Sequence, residues 1–513
     1  MGWKEVSLKL PADYTEDELR QRLGEDLGIG KFSYSIEHKS LDARKKRQIH
    51  WLLRVTVVSD EIRGPAPDLP PTLNIPRLRT AKTAVVVGSG PAGFFCAFVL
   101  QKAGIRTTIL ERGSEVSKRA AGIREFETTG AFDAMNNYAF GEGGAGTFSD
   151  GKLTSRTKNI SRERQFMIAH YIQAGAPEET AYLAHPHLGS DNLRKIVRRL
   201  REEFLAIGGT ILFETLLEDL TLEQGTVTGA VTRSGVIGAD YFIIAPGHSA
   251  YETYRMLISR GVRFRTKDFA IGCRIEHPQE IINLGQWGLR SLPGVKAAEY
   301  RLASPGDGNL PVYTFCMCPG GSIIPATAYR RTNIVNGMSL YQRNGKFANA
   351  ACVAGINLPR LLGREIAPAE ALDWLEGLEE SFYTFADGYQ APFCSIRNFI
   401  DATEQVQTAD SSYPLGLRPA ALWELLPPAV SSALREGLRD FTKKIKGFDQ
   451  GNIMGLESKT SSPVQVIQGQ DNLCAGFSNL YLAGEGSGYA GGIISSGTNG
   501  IKTAMSIIGG GYA

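Results

Sequence analysis

The segment Ala84-Val85-Val86-Val87-Gly88-Ser89-Gly90-Pro91-Ala92-Gly93 sets three glycines in the spacing G-x-G-x-x-G, directly after an apolar, β-branched run and directly before the apolar stretch Phe94 to Leu100. Strand, glycine turn and helix in that order make an anion cradle. Gly88 allows the tight turn, Gly90 lets the backbone approach a pyrophosphate, and Gly93 lets the helix pack on the strand. Ser89, Pro91 and Ala92 complete the turn, and the free N–H groups of the first helical turn add positive potential. The next apolar run, Thr107 to Leu110, ends at Glu111, 18 residues beyond Gly93. A carboxylate there is placed to accept hydrogen bonds from adenosine ribose hydroxyls. These features together predict a bound dinucleotide.

Which dinucleotide is decided near residue 490. Leu480-Tyr481-Leu482-Ala483 reads as a strand running into Gly484-Glu485-Gly486-Ser487-Gly488-Tyr489-Ala490-Gly491-Gly492-Ile493, then into a helix through Ser496 to Ile507. NAD needs no such second loop. FAD does, because its ribityl chain and isoalloxazine reach past the pyrophosphate, and a helix N-terminus stabilises negative charge on the reduced ring. Gly484, Glu485, Gly491, Gly492 and Ile493 are therefore candidate flavin contacts; the plainer alternative is a glycine-rich turn packed on the first helix. A second unit of this kind with its own ribose acid is missing, so any NAD(P)H binds transiently. Disulfide reductases carry a close cysteine pair near the first helix, where this chain has only Cys96.

Candidates for the reaction itself are fewer. Cys316 and Cys318 stand two apart on an apparent strand, so their side chains share one face. A thiol pair beside a flavin would shuttle electrons or act as an acid. Cysteine is also a small buried hydrophobe, and a disulfide between such positions on a straight strand is strained, which favours packing. His185, His187 and His248 follow expected loop or strand ends, Arg274-Ile275-Glu276-His277 alternates charge at strand spacing, and Glu457 lies in a serine- and threonine-rich loop. Such residues orient substrate or deliver a proton opposite the hydride, and His248, Arg274 and Glu457 join the two cysteines as catalytic candidates. No C-x-x-C or nearby histidine pair completes a tetrahedral zinc set, and no metal is expected.

Bulk properties exclude several classes. At 513 residues the chain exceeds what one hydrophobic core organises. With 42% hydrophobic and 21% charged residues it has an ordinary globular composition, and 56 Lys+Arg against 53 Asp+Glu is too even to demand a nucleic acid. No stretch approaches the roughly 18 apolar residues of a membrane span. Seven thinly spread cysteines, with no cleavable leader after Met1, lead us to expect a reducing cytoplasm.

Alternation over Val6 to Leu10, Thr15 ahead of Glu16-Asp17-Glu18, and strand-like runs at Phe32 to Ile36 and Trp51 to Val58 predict a small α+β domain of ferredoxin-like type over residues 1–62. Its basic cluster, Arg44-Lys45-Lys46-Arg47, is a solvated loop or, on a rival reading, an RNA contact. Residues 63–79 form a proline-rich linker. Alternating strands and helices make 80–255 the first part of an α/β FAD-binding domain, completed by 455–513. Residues 256–454, which lack dinucleotide-type turns, form an inserted α+β substrate domain.

Five segments also carry a resemblance: Glu111-Arg112, the run Phe140 to Lys152, Val312 to Gly321, Asn336 to Ser339, and Ala483 to Gly492. They are similar to a family of bacterial FAD-dependent dehydrogenases (NAD(FAD)-utilizing dehydrogenases) within the glutathione-reductase-like flavoproteins. The resemblance covers nearly the whole chain, the small N-terminal domain included. It implies a glutathione-reductase-like Rossmann domain and FAD, with Arg112 beside Glu111 in the binding motif. Gly143, Gly144, Gly146 and Thr147 would then wrap the pyrophosphate and ring edge. Leu217 would meet the adenine through its backbone, and Ala245-Pro246-Gly247 would return the chain beside the first glycine motif. Lys459 and Asn499 depart from the family pattern, which has arginine and aspartate there. The expected function is hydride transfer between a small substrate and flavin N5, with NAD(P)H or a ferredoxin as electron donor. The enzyme alternative is a single-component NAD(P)H-dependent monooxygenase; the other is a flavin-binding RNA-associated or regulatory protein.

Overall fold

Thr83–Val87 is the centre of a five-stranded sheet. The computed structural model describes residues 2–66, 72–404 and 409–509, so part of the expected proline linker lies outside the described residues. Tyr241–Ile244 and Arg106–Leu110 flank the central strand, with Leu480–Leu482 and Thr210–Leu212 outside them, and all four pairings are parallel. Parallel strands covered on both faces need no alternation, which is why these read as continuous apolar runs. Pro91–Ala103 packs with Gly189–Ala206 and Gly492–Ile507 on one face, where Phe95, Phe98, Ile196, Phe204, Ile494 and Ile501 share a core. The other face is covered by a three-stranded antiparallel sheet within residues 219–237 and by the helix Tyr251–Ser259. Helix and central strand approach so closely that a Cβ on Gly93 would lie 1.9 Å from the Gly88 carbonyl oxygen.

The middle of the chain builds an eight-stranded, mostly antiparallel sheet. Its order is Ala303–Ser304, Val312–Pro325, Phe347–Ile356, Phe269–Pro278, Asn452–Glu457, Ala391–Ser395 and Leu417–Pro419, with Val335–Ser339 paired to the second of these. Pro368–Ala386 and Pro428–Lys444 contribute to its core. The expected borders at 255/256 and 454/455 fall inside the helix Tyr251–Ser259 and the strand Asn452–Glu457. The chain passes between the two sheets without a break, and Phe264–Thr266 pairs with Val464–Val466 at the crossing.

Two expectations need correction. The strand containing Cys316 and Cys318 is not straight: its register with Phe347–Ile356 shifts between Phe315 and Cys318, and Cys316 takes φ +46°. A bulge interrupts side-chain alternation, so spacing alone no longer puts both thiols on one face. The N-terminal segment is α+β but not the double β-α-β of a ferredoxin-like unit. It runs Gly2–Pro11, Glu16–Leu27, Ser33–Asp42, His50–Ser59, with the third strand central in an antiparallel sheet. One helix, capped by Thr15 and Glu18, is enough to bury its apolar face through Leu19 and Leu23 against Leu8, Leu53, Val55 and Val57. Within the basic cluster, Arg44 pairs with Asp42 and Lys46 lies over Gly288. Lys39 ties the segment to the body: its N–H donates to the Tyr182 carbonyl and its carbonyl accepts from Ala184, both at 2.9 Å. No helix among the described residues is long and apolar enough to cross a membrane.

Candidate active site

The carboxyl edge of a parallel sheet is where open α/β folds bind ligands, and here it gathers the expected turns. A Cβ on Gly88 would lie 2.3 Å from the Ala245 carbonyl oxygen, one on Gly484 2.6 Å from Ala92 Cβ, and one on Gly486 2.5 Å from Pro246 Cδ. The turns at 88–93, 245–247 and 484–486 therefore interlock. The loop after Phe140 closes over them, with Gly144 against Gly90 and Gly146 against Ile493.

Whether FAD suits these residues is tested by what the glycines leave open. Nothing lies within 4 Å of a Cβ built on Gly247, Gly491 or Gly492, and on Gly90 only Gly144 Cα approaches, at 3.7 Å. Side-chain-free backbone and two helix N-termini thus border one cradle, as a pyrophosphate and an extended ring require. In the adjoining hollow, lined in part by Ser89, Gly143, Gly146, Thr147, Arg201 and Ile493, the buried Glu142 Oε1 makes no hydrogen bond within the protein, although Arg201 Nε lies 3.4 Å away as an ion-pair partner. A cofactor hydroxyl fits that acceptor.

Arg119 is a positioning residue that sequence reasoning missed. It is fully buried, and its guanidinium donates to the carbonyls of Asn137, Tyr138, Glu142 and Gly144 at 2.8–2.9 Å. Holding those carbonyls inward leaves the glycine loop free to present N–H groups outward. Burial lowers its pKa to about 10, so it remains charged near neutral pH. The signal was present: Arg119 occupies the apolar stripe of Val116, Ala120, Ile123 and Phe126.

Glu111 is more engaged than a lone ribose acceptor. Its Oε2 accepts from Ser89 N (2.9 Å) and Ser89 Oγ (2.7 Å), and its Oε1 from Gly113 N (2.9 Å) and Gly141 N (3.0 Å). A ribose hydroxyl would have to replace the Ser89 hydroxyl, the one rotatable donor among the four. Glu111→Ala is therefore expected to destabilise flavin-stripped protein by about 3 kcal/mol, by leaving buried N–H groups unpaired, as well as weakening FAD retention. Unfolding the stripped protein in urea checks this; an unchanged midpoint would confine Glu111 to cofactor contact.

The other expected cofactor contacts separate. Arg112 is ion-paired with Glu252 and stacked 3.7 Å from the Phe140 ring centroid. Leu217 buries its side chain under the sheet, leaving only its backbone for a ligand. Thr147 donates to the Glu142 carbonyl within the loop at 3.1 Å. Glu485 Oε1 accepts from Gly492 N at 2.6 Å, and its Oε2 is 3.4 Å from His248 Nε2. Of the two departures, Asn499 accepts from Gly484 N at 2.7 Å, and Lys459 forms a buried ion pair with Glu379 at 2.7 Å.

Four of the five catalytic candidates converge; His248 instead joins Glu485. Arg274, fully buried, donates to Asn349 Oδ1 (2.9 Å), Asn336 Oδ1 (3.3 Å), Glu457 Oε2 (3.1 Å), the Cys316 carbonyl (2.7 Å) and Cys318 Sγ (3.4 Å). Its N–H groups are all engaged, so it holds the bulge rather than touching substrate. Burial pushes the Cys318 thiol up to about 12 and raises that of Cys316 against the opposing charges of Arg274 and Lys152. All seven cysteines are free thiols.

Beside the bulge lies a cluster with no local signature in the sequence. Asp150 accepts from Arg343 Nε (3.0 Å) and Nη2 (2.6 Å), and also from Ser339 and Lys152. Burial alone would raise its pKa, but Lys152 and Arg343 hold it well below the usual carboxylate range. His187, buried, lies 3.0 Å through Nε2 from the Tyr341 carbonyl, and burial followed by the Arg343 charge lowers its pKa to about 4. It is a structural histidine, whereas His185 is exposed. Because its folded pKa lies below the unfolded value of ~6.5, its stabilising share is complete above that pH and declines toward pH 4, by up to about 3 kcal/mol. Urea midpoints across this range should fall more steeply for the parent than for His187→Asn; parallel curves would refute the assignment.

The interlocked turns are what an extended dinucleotide requires, and comparison with known proteins gives its chemistry. Residues 81–249 match the FAD binding domain family, residues 268–460 the FAD-dependent protein, C-terminal domain-like family, and residues 3–58 a domain of unknown function (DUF8436). The chain belongs to a family of FAD-dependent proteins, and FAD is its cofactor. A member from Clostridium beijerinckii (strain ATCC 51743 / NCIMB 8052), named only "Uncharacterized protein", is 34% identical over 524 residues, spanning 98% of each chain. Among solved structures, glycine oxidase from Bacillus cereus ATCC 14579 is similar at 11% identity and TM-score 0.33, covering 84% of this chain and 95% of that chain. L-proline dehydrogenase from P. horikoshii is similar at 12% identity and TM-score 0.35, covering 85% and 94%.

Proposed function

We propose that the protein is an FAD-dependent dehydrogenase or reductase that moves a hydride between a small substrate and flavin N5. The observation that carries this reading is the position of Lys152. It ends the glycine loop that closes the cofactor cradle, and its amine donates to the carbonyl of Met317 in the cysteine bulge. Cradle and bulge therefore share one seam. FAD, when bound, supplies the hydride donor or acceptor.

In this reading the turn Gly88 to Gly93 and the helix start behind it hold the pyrophosphate. Glu111 receives a ribose hydroxyl, and Gly143, Gly144, Gly146 and Thr147 cover the cofactor. Ala245, Gly247 and the Leu217 backbone border it, and Arg112 steadies Phe140 at its edge. Gly484, Gly491, Gly492 and Ile493 border the ring at a helix N-terminus, where Glu485 holds the Gly492 N–H and His248 lies beside it. Residues 256–454 form the substrate side, 80–255 and 455–513 the cofactor side, and 1–62 an attached module after which 63–79 link. NAD(P)H, binding transiently, or a ferredoxin supplies electrons, and the free thiols suit a reducing cytoplasm.

The test is anaerobic mixing of the FAD-loaded protein with NADH, NADPH or reduced ferredoxin. Bleaching of the flavin by one of them supports the reading; bleaching by dithionite alone overturns it. The seam would also serve a single-component monooxygenase, and NAD(P)H-driven oxygen consumption coupled to a hydroxylated product would decide for that alternative.

A further inference from the structure

We propose that Cys316 is the proton donor of the reaction and that the substrate is a small conjugated carbonyl compound reduced at its carbon–carbon double bond. This rests on the hydride-transfer reading above and deepens it. Three observations of different kinds meet at this residue. Its backbone is held at φ +46°, uncommon for any residue with a Cβ, and such strain persists only where the surroundings impose it. The imposing group is Arg274, which grips the Cys316 carbonyl while locked to Glu457, Asn336 and Asn349. Cys316 is also partly exposed, unlike the other six cysteines, which are buried.

The second observation points to a ligand. Two of the side chains that Arg274 anchors around the bulge each keep one unpartnered polar atom: Glu457 Oε1 and Asn349 Nδ2, on residues that are fully buried. Asn349 thus has an unused donor of the kind a carbonyl oxygen accepts, and Glu457 an unused acceptor. The third is the seam itself, because Lys152 bonds the peptide carbonyl next to Cys316 to the loop that covers the cofactor.

The substrate class follows from the acid. A thiol is neutral near pH 7 and gives up its proton readily only to a strongly basic atom. Addition of hydride to the β-carbon of a conjugated carbonyl creates one at the α-carbon. In the balanced step the reduced cofactor gives a hydride to the β-carbon and the π pair moves to the α-carbon. The Cys316 S–H bond then breaks as the new α-carbon–hydrogen bond forms. The cofactor is oxidised by two electrons, the alkene is reduced by two, and the thiolate regains a proton from water.

The test uses the FAD-loaded full chain, reduced anaerobically with dithionite and mixed with 2-cyclohexen-1-one or, separately, cyclohexanone. The enone is expected to reoxidise the flavin and the saturated ketone not. Cys316→Ala should lower the enone rate constant about 100-fold, and Cys316→Ser about 10-fold. The parent rate should fall as pH rises through the thiol pKa, a limb absent from Cys316→Ala. Independently of turnover, iodoacetamide should alkylate Cys316 ahead of the other cysteines of the loaded protein, identified by peptide mass. The alkylated protein should show the same loss, which keeps the test valid if Cys316→Ala folds poorly. Equal rates and pH profiles in parent and variants would remove Cys316 from the step and leave the hydride reading intact. Reoxidation by cyclohexanone, or by neither compound, would overturn the substrate class, whereas the hydride reading stands or falls on reduction by NAD(P)H or ferredoxin.

Discussion

Arg119→Met is expected to purify without flavin and to unfold in urea well before the parent. Methionine matches the length of the aliphatic stem but carries none of the donors, so the carbonyls of Asn137, Tyr138, Glu142 and Gly144 lose a shared partner in a buried setting. Buried carbonyls left unpaired cost about 1–3 kcal/mol each before relaxation. Because the four sit on one loop, relaxation will take the form of loop movement, for a net loss of about 4 kcal/mol. Movement of Gly144 away from Gly90 opens the cradle, which is why the cofactor should go too. Arg119→Lys is not a rescue: an ammonium lacks the planar fork that reaches carbonyls spread from residue 137 to residue 144. Flavin absorbance per protein and the urea midpoint measure both effects, and full flavin occupancy in Arg119→Met would refute the role.

The second large effect belongs to Asp150→Asn. The substitution keeps shape and removes the carboxylate that Lys152 and Arg343 share, leaving Arg343 with its longer pairing to Glu299 at 3.7 Å and Lys152 without its close counter-charge. Breaking such a pair costs about 3–5 kcal/mol. Since the folded pKa of Asp150 is depressed, its contribution is complete above the unfolded value of ~3.9 and is lost only as pH falls through the lower, folded one. The gap in urea midpoint between parent and variant should therefore stay constant from about pH 5 upward and narrow below about pH 4. A gap that widened on acidification would contradict the assignment. Weakened attachment of Lys152 to Met317 should also slow flavin reduction, by loosening the seam rather than the cradle.

The glycine turns were legible because their chemistry is local. A turn that needs positive φ and bare backbone can be built only from glycine, so spacing and flanking apolar runs give it away. Arg119 left a weaker local trace, a cation on an apolar helical stripe. Asp150 and Arg343 left none, since 193 positions separate them and only folding makes them partners. The bulge at Cys316 was read as plain strand because its cause, the side chain of Arg274, arrives from another strand. Glu111 was read as a ligand contact because its donors, the N–H groups of Ser89, Gly113 and Gly141 and the Ser89 hydroxyl, are brought to it only by folding. The ferredoxin-like expectation failed on counting strands: three strands and one helix already close that module's core.

The outermost strand of the parallel sheet, Leu480–Leu482, is made almost four hundred residues after the central one, Thr83–Val87, yet its turn forms part of the same cradle. During synthesis the first glycine turn thus waits for the turn at 484–486 that packs against it, although both neighbours of its own strand have already been made. A growing chain stopped anywhere before Leu480–Leu482 has the pyrophosphate end of the pocket and no counterpart for the ring. Cofactor capture is in this sense a late event in the life of the polypeptide, and nascent intermediates must survive without the ligand's stabilisation. Limiting riboflavin in the host should then show itself as degradation of finished chains rather than as stalled or shortened ones.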